Sequence, residues 1–314
     1  MKMIDTLINI YKKTEMELKA YVAEELVKQY RSVTVGDGYV FAKGDFPVLL
    51  VAHLDTVHKT TPKSFVYSLN GDVISSPQGI GGDDRNGVFS VLEVSKRYNC
   101  SVLFCEQEEV GGIGADKFTD TELAKSLEFN YIIEFDRKGS NDAVFYDCDN
   151  PEFTEFITKN FYKEAFGSFS DICTLAPYFG CAAVNLSCGY YKAHTLDEYV
   201  VVSEMINSIN AACDILARTT DEDKFEYIEA IHYYEHYRHS NRWDGWYDSY
   251  GYDDYDIEDK YYIIEYSDAK GKTQWYDVMA ISEAEAVGKF LMEFPNTRYS
   301  DVIFICAEKS TYAK

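Results

Sequence analysis

The chain has 314 residues, enough for about two domains and a sizeable core. Hydrophobic content of 46% and aromatic content of 16% exclude wholesale disorder. The formal net charge of -23 argues against a nucleic-acid partner and against an anionic membrane surface, since both call for clustered Lys and Arg.

Solubility alone accounts for much of that acidity. No apolar run reaches transmembrane length. The N-terminal M-K-M-I-D-T-L-I-N-I carries Asp5 inside its apolar stretch and has no small-residue cleavage site, so no signal peptide is expected. Cysteines at 100, 105, 148, 173, 181, 188, 213 and 306 lack C-x-x-C spacing, and several sit in apolar runs. Buried free thiols in a reducing cytoplasm are expected, not a thiolate zinc cage.

In chain order, helical patterns cover roughly 3–12 and 15–29, the second with Leu18, Val22, Leu26 and Val27 on one stripe. Val33 to Ala42 reads as a hairpin turning at Gly36-Asp37-Gly38. Strand-like runs then follow at Pro47–His53, Ser101–Glu106, Tyr131–Phe135 and Ala182–Leu186. Helix-like runs fall at Asp84–Arg97, Gly112–Leu127, Pro151–Lys163, Ser170–Phe179 and Ser203–Arg218. Continuous apolar strands alternating with helices predict an α/β fold, with a mainly parallel mixed sheet covered on both faces.

Composition shifts after about Thr220. The predicted division is a catalytic domain at 1–219, a Tyr/Asp/His-rich helix and linker at 220–259, and a small β-β-α-β module at 260–314. The module's predicted helix runs from Ser282 to Phe294.

Five segments place acids or imidazoles at strand ends or helix starts: V-A-H-L-D at 51–55, G-G-D-D-R-N-G at 81–87, E-Q-E-E-V-G-G at 106–112, E-F-D-R at 134–137 and K-A-H-T at 192–195. In open α/β sheets, ligands sit beyond the carboxyl ends of strands, where His53, Glu108, Glu109 and Asp136 lie. Asp55, two residues after His53, faces the same way and can fix the imidazole tautomer. Asp83 or Asp84 can bridge two cations, although either also suits a helix N-cap. Of the adjacent Glu108 and Glu109, one can bind metal while the other serves as general base. The order His, Asp, Glu-Glu, Asp, His supplies the donors that a pair of divalent cations needs.

These motifs resemble the co-catalytic two-zinc exopeptidases and amidohydrolases, a group that includes aminopeptidases, di- and tripeptidases, and desuccinylase or glutamate carboxypeptidase relatives. The resemblance covers about residues 45–217 and is strongest in H-L-D, G-G-D-D-R-N-G and E-E-V-G-G. It implies two Zn2+, with Co2+ or Mn2+ as alternatives. His53, Asp83 and Asp136 would hold one ion and Asp83, Glu109 and His194 the other. It implies Glu108 as general base and Asp55 as the residue orienting His53. The segment G-S-F-S-D-I at 167–172 is similar, more loosely, to a pocket-lining turn of the family. No lid domain is expected, because only core-sized elements separate Asp136 from His194.

The expected activity is hydrolysis of a peptide bond by an aminopeptidase-like or small-peptide exopeptidase, with a metal-bridged water and a Glu general base. Two alternatives stand beside it: deacylation of an N-acyl amino acid, and a hydrolase-like scaffold without activity. The sequence does not decide the oligomeric state. A second metal motif, His232-Tyr-Tyr-Glu235-His236, reads instead as part of a surface helix whose Tyr227, Ile231, Tyr234 and Arg238 would form an aromatic stripe.

Overall fold

A computed structural model describes residues 2–230, 260–267, 272–280, 290 and 302–308. The chain separates into two compact units, Met1–Asp253 and Asp254–Lys314.

The first unit opens with α1 (Lys2–Tyr11) and α2 (Glu15–Leu26), then β1 (Val33–Gly36), β2 (Tyr39–Ala42) and β3 (Phe46–His53). Next come β4 (Val66–Tyr67), β5 (Val73–Ser75), α3 (Gly82–Ser95), β6 (Cys100–Cys105) and α4 (Ile113–Thr119). They are followed by β7 (Tyr131–Arg137), β8 (Asp142–Val144), α5 (Pro151–Thr158), β9 (Lys163–Ala165) and α6 (Ile172–Phe179). The unit closes with β10 (Ala183–Ser187), β11 (Tyr190–Tyr191), β12 (Tyr199–Val201) and α7 (Val202–Arg218). Thr14 begins α2 with a capping box, exchanging hydrogen bonds with Glu17.

The main sheet has eight strands in the order β1-β2-β6-β3-β7-β10-β8-β9. Its centre, β6-β3-β7-β10, is parallel, and β2 adds to β6 in the antiparallel sense. Strand side chains alternate between faces, so continuous apolar runs feed two cores. Val48, Leu50 and Ala52 of β3 join the core built by α1, α2, α3 and α7. Leu49 and Val51 face the smaller core under α4 and α6. The expected mainly parallel mixed sheet flanked by helices is the one observed.

Two predicted helices are shorter than expected. Between Gly112 and Leu127 the helix stops at Thr119, and only a 3-10 turn follows at Ala124–Ser126. The Thr121 hydroxyl donates to the Phe118 carbonyl and accepts from the Ala124 amide, a local alternative to the helical ladder. The helix predicted over 151–163 ends at Thr158, because Lys163 is drawn into β9 beside β8. Tyr227 belongs to no helix: its amide donates to the Gly180 carbonyl, and bridges flank it at Glu226 and Glu229. The rest of that predicted stripe, and His232, Glu235, His236 and the linker to Asp259, lie outside the described residues.

A second sheet, in the order β11-β12-β5-β4, has no counterpart in the sequence reading. The other unit contains β13 (Lys260–Ser267), β14 (Thr273–Ala280) and β15 (Val302–Glu308), antiparallel in the order β14-β13-β15. Of the predicted helix at 282–294 only Phe290 is described; it is helical, buried, and 4.6 Å from Tyr266 between ring centroids. Among the described residues, no helix is long and apolar enough to cross a membrane.

Candidate metal centre

The parallel register sets the first part of the site. Val51 pairs with Glu134, so two residues further on His53 and Asp136 leave adjacent strands at the same level. Helix α3 brings its acidic start between them. It packs so closely on β7 that a Cβ on Gly87 would sit 1.8 Å from the Phe135 carbonyl oxygen, which only glycine permits.

Asp83 and Asp84 then diverge. The Asp84 oxygens accept the amides of His53 at 3.1 Å and Gly87 at 2.8 Å, so this carboxylate fastens α3 to β3. Asp83 keeps its oxygens for imidazoles: Oδ1 lies 3.2 Å from His53 Nε2, and Oδ2 lies 3.1 Å from His194 Nε2. Asp136 Oδ1 stands 3.3 Å from His53 Nε2, and Glu109 Oε2 stands 3.0 Å from His194 Nε2. Glu108 Oε2 is 3.9 Å from His53 Nε2. The structure therefore brings His53, Asp55, Asp83, Glu108, Glu109, Asp136 and His194 into one cluster.

The surrounding contacts hold this geometry. Asp55 Oδ1 lies 3.1 Å from His53 Nδ1 and accepts the Glu108 amide, while its Oδ2 accepts the Glu109 amide. Gln107 and His194 both have positive φ, so the loops that present Glu108 and His194 turn sharply next to the cluster. His194 sits in the connection between β11 and β12, which the second sheet carries to the end of β3. Asp136 is held by Asn185, which accepts its amide at 2.8 Å and donates to its carbonyl at 3.1 Å. The Ser170 hydroxyl contacts both Glu134 and Asp136.

Glu198 is a residue that sequence reasoning missed. It is fully buried, accepts the Gly81 and Asp83 amides, and lies 2.7 Å from His58 Nε2. Nothing local in the sequence could have shown a contact between residues so far apart.

Charge crowding is severe. Burial pushes Glu108 up to about 10, with repulsion from Asp136 and Asp171 adding to it and His53 opposing. Burial, with Asp83 beside it, raises Asp136 to about 6. Burial raises Asp171 to about 7. Burial would raise Asp83 too, but hydrogen bonds with His194 and His53 outweigh it and hold this carboxyl well below the usual range. Hydrogen bonding to Asp83 and Glu109 raises His194 to about 11.

The donor set fits divalent cations. The donor atoms of His53, Asp83 and Glu109 all lie within 4.8 Å of one another, as do those of His53, Asp84 and Asp136. The separations across each half, 3.0 to 3.3 Å, match the edge of a tetrahedron around an ion bonded at ~2.0–2.1 Å. Mixed imidazole and carboxylate donors suit zinc, and their crowded negative charge is what a cation relieves. Asp84 spends both oxygens on backbone amides, so the donor distances favour Asp83 as the shared ligand: His53, Asp83 and Asp136 would form one half, and Asp83, Glu109 and His194 the other.

No family model matches the sequence, and no curated protein matches it either. Solved structures do resemble it. An aminopeptidase from the archaeon Desulfurococcus kamchatkensis superposes with a TM-score of 0.56 at 16% identity, over 71% of this chain and 96% of that one. A tripeptidase from Staphylococcus aureus gives 0.55 at 13% identity, over 69% and 98%. An aminopeptidase from Bacillus cereus gives 0.53 at 13% identity, over 68% and 97%. At such identities the likeness establishes the fold. The chain has a zinc exopeptidase-like fold, with a candidate His/Asp/Glu metal centre at the strand ends of its main sheet.

Proposed function

We propose that the protein is a two-zinc hydrolase of peptide bonds, acting as an aminopeptidase-like exopeptidase on small peptides. The observation that carries this reading is Asp83, whose two oxygens face two different imidazoles, as a bridging carboxylate must. His53, Asp83 and Asp136 would hold one cation and Asp83, Glu109 and His194 the other. Bound divalent cations supply a water nucleophile at neutral pH and polarise the scissile carbonyl.

The remaining chemistry belongs to the chain. With cations bound to offset the crowding that otherwise keeps it protonated, Glu108 takes the proton as the nucleophile attacks and returns it to the leaving amine. Asp55 fixes the His53 tautomer and, through the Glu108 and Glu109 amides, aims both acids. Glu198 anchors the turn that delivers Asp83. We assign catalysis to residues 1–219, onto which 225–229 also pack through backbone pairing with Cys148, Gly180, Cys181 and Ala182, and treat 260–314 as an appended module. Among the described residues, seven of the eight cysteines are free thiols, which accords with a cytoplasmic protein.

A panel of free peptides and N-acyl amino acids, assayed after loading with Zn, Co or Mn, tests the reading. Release of N-terminal residues from peptides supports it. Turnover confined to N-acyl amino acids replaces it with deacylation, and no turnover of either class refutes hydrolysis.

A further inference from the structure

Arg85 is 3% exposed, yet no carboxylate among the described residues lies within 4.0 Å of its guanidinium. Its two hydrogen bonds go to backbone carbonyls, those of Asp55 at 2.6 Å and Lys13 at 3.3 Å. A buried cation without a contacting counter-charge is costly. Three of the nearby acids are occupied elsewhere: Asp55 with His53 and two amides, Asp84 with two amides, Glu198 with two amides and His58. The fourth, Glu15, lines the same cavity but stands farther than ion-pair distance from Arg85.

Arg85 lines a cavity of about 480 Å³, together with Lys59, Lys63, Thr56, Thr60 and Glu15. Its walls include Asp55 but none of Asp83, Glu108, Glu109, Asp136 or His194. His53 turns Nδ1 toward Asp55 and Nε2 toward Asp83, so Asp55 separates this space from the metal centre. Lys59 and Lys63 form no ion pair among the described residues and stand at the exposed rim. On a chain of net charge -23, a chamber with three cations against the two carboxylates Glu15 and Asp55 is a local reversal of sign. Its volume lies within the range of small-molecule sites.

We propose that this cavity binds a small oxyanion-bearing metabolite, carboxylate or phosphate, at a site distinct from the metal centre. The Arg85 guanidinium pairs with the anion in the interior, and Lys59 and Lys63 add long-range attraction at the mouth. The threonine hydroxyls supply neutral donors.

The test is thermal denaturation of the full chain with inorganic phosphate or succinate, against sodium chloride at equal ionic strength. A ligand that binds only the native state raises Tm with the logarithm of its concentration above Kd. The proposal expects a saturable rise with at least one oxyanion and none with chloride, and whichever of phosphate and succinate acts at lower concentration identifies the class. The K59E/K63E variant, altered only at exposed positions, should bind about tenfold more weakly. H194A, which removes a donor of the metal centre, should bind as the unaltered chain does. Equal shifts with chloride, full binding by K59E/K63E, or loss of binding in H194A would each overturn it. None of these readouts depends on catalytic turnover, so the hydrolase reading can fail without it.

Discussion

Asp55 Oδ1 accepts the Glu108 backbone amide at 3.0 Å while lying 3.1 Å from His53 Nδ1. One buried oxygen thus ties the end of β3 to the loop after β6, fixing the proposed metal-donor imidazole and the proposed base together.

Asp55→Asn should therefore disturb more than one residue. It removes the charge that holds the His53 tautomer and weakens both amide bonds to the loop. Loss of such a supporting partner costs about 10–100-fold in metal affinity or activity. Competition with a calibrated chelator measures the affinity. Unchanged affinity and unchanged kcat would show that Asp55 serves only the loop.

Glu108→Gln separates chemistry from metal binding. The amide keeps the shape of the side chain but cannot accept the proton, so kcat should fall about 10²–10⁴-fold. Metal content should stay that of the unaltered protein. Retained turnover would remove Glu108 from the role of base.

Metal loading should depend steeply on pH. In the metal-free protein His194 is raised to about 11 by its carboxylate partners, and Glu108 to about 10 by burial. Raised pKa values mean that the folded chain holds protons the unfolded chain releases, so their contribution is fully present below the unfolded pKa and is lost as pH rises through the folded one. For His194 that window runs from its ordinary 6.5 to about 11. Metal must displace such protons, so binding releases them and strengthens with pH. The difference in Tm between loaded and metal-free protein should widen from about pH 6 to about pH 9. A pH-independent difference would contradict this account of the cluster.

Asn185→Ala tests the support behind Asp136. The Asn185 side chain satisfies both backbone polar groups of Asp136 in a site that is 1% exposed at Asn185. The Tyr190 hydroxyl also donates to the Asp136 carbonyl, at 3.0 Å, so the variant leaves the amide as the unpaired group. That should cost about 1–3 kcal/mol of stability, read from urea denaturation. A smaller change would mean that water takes over the amide.

The site was legible where its residues sit at ends of long apolar strands, because β3, β6 and β7 announce themselves by length and continuity. His53, Glu108, Glu109 and Asp136 followed from that placement alone. The resemblance named Asp83 over its neighbour Asp84 in the first turn of α3, and the two side chains do differ: Asp84 accepts two backbone amides while Asp83 faces two imidazoles. Strands of two or three residues, such as β4 and β11, are too short to show a period, so the sheet that carries His194 went unseen. Glu198, and Arg85 with no ion pair among the described residues, were equally hidden. Their significance lies in contacts, or missing contacts, between distant segments, and no local pattern encodes those.

The central claim is a bridged pair of cations that drives peptide hydrolysis. Titrating chelator-stripped protein with Zn2+ while following amino-acid release from a short free peptide tests it most directly. The account predicts no activity before metal is added and a plateau at about two equivalents, with Asp83→Asn remaining inactive at every loading. Full activity without metal, or undiminished activity in Asp83→Asn, would contradict it.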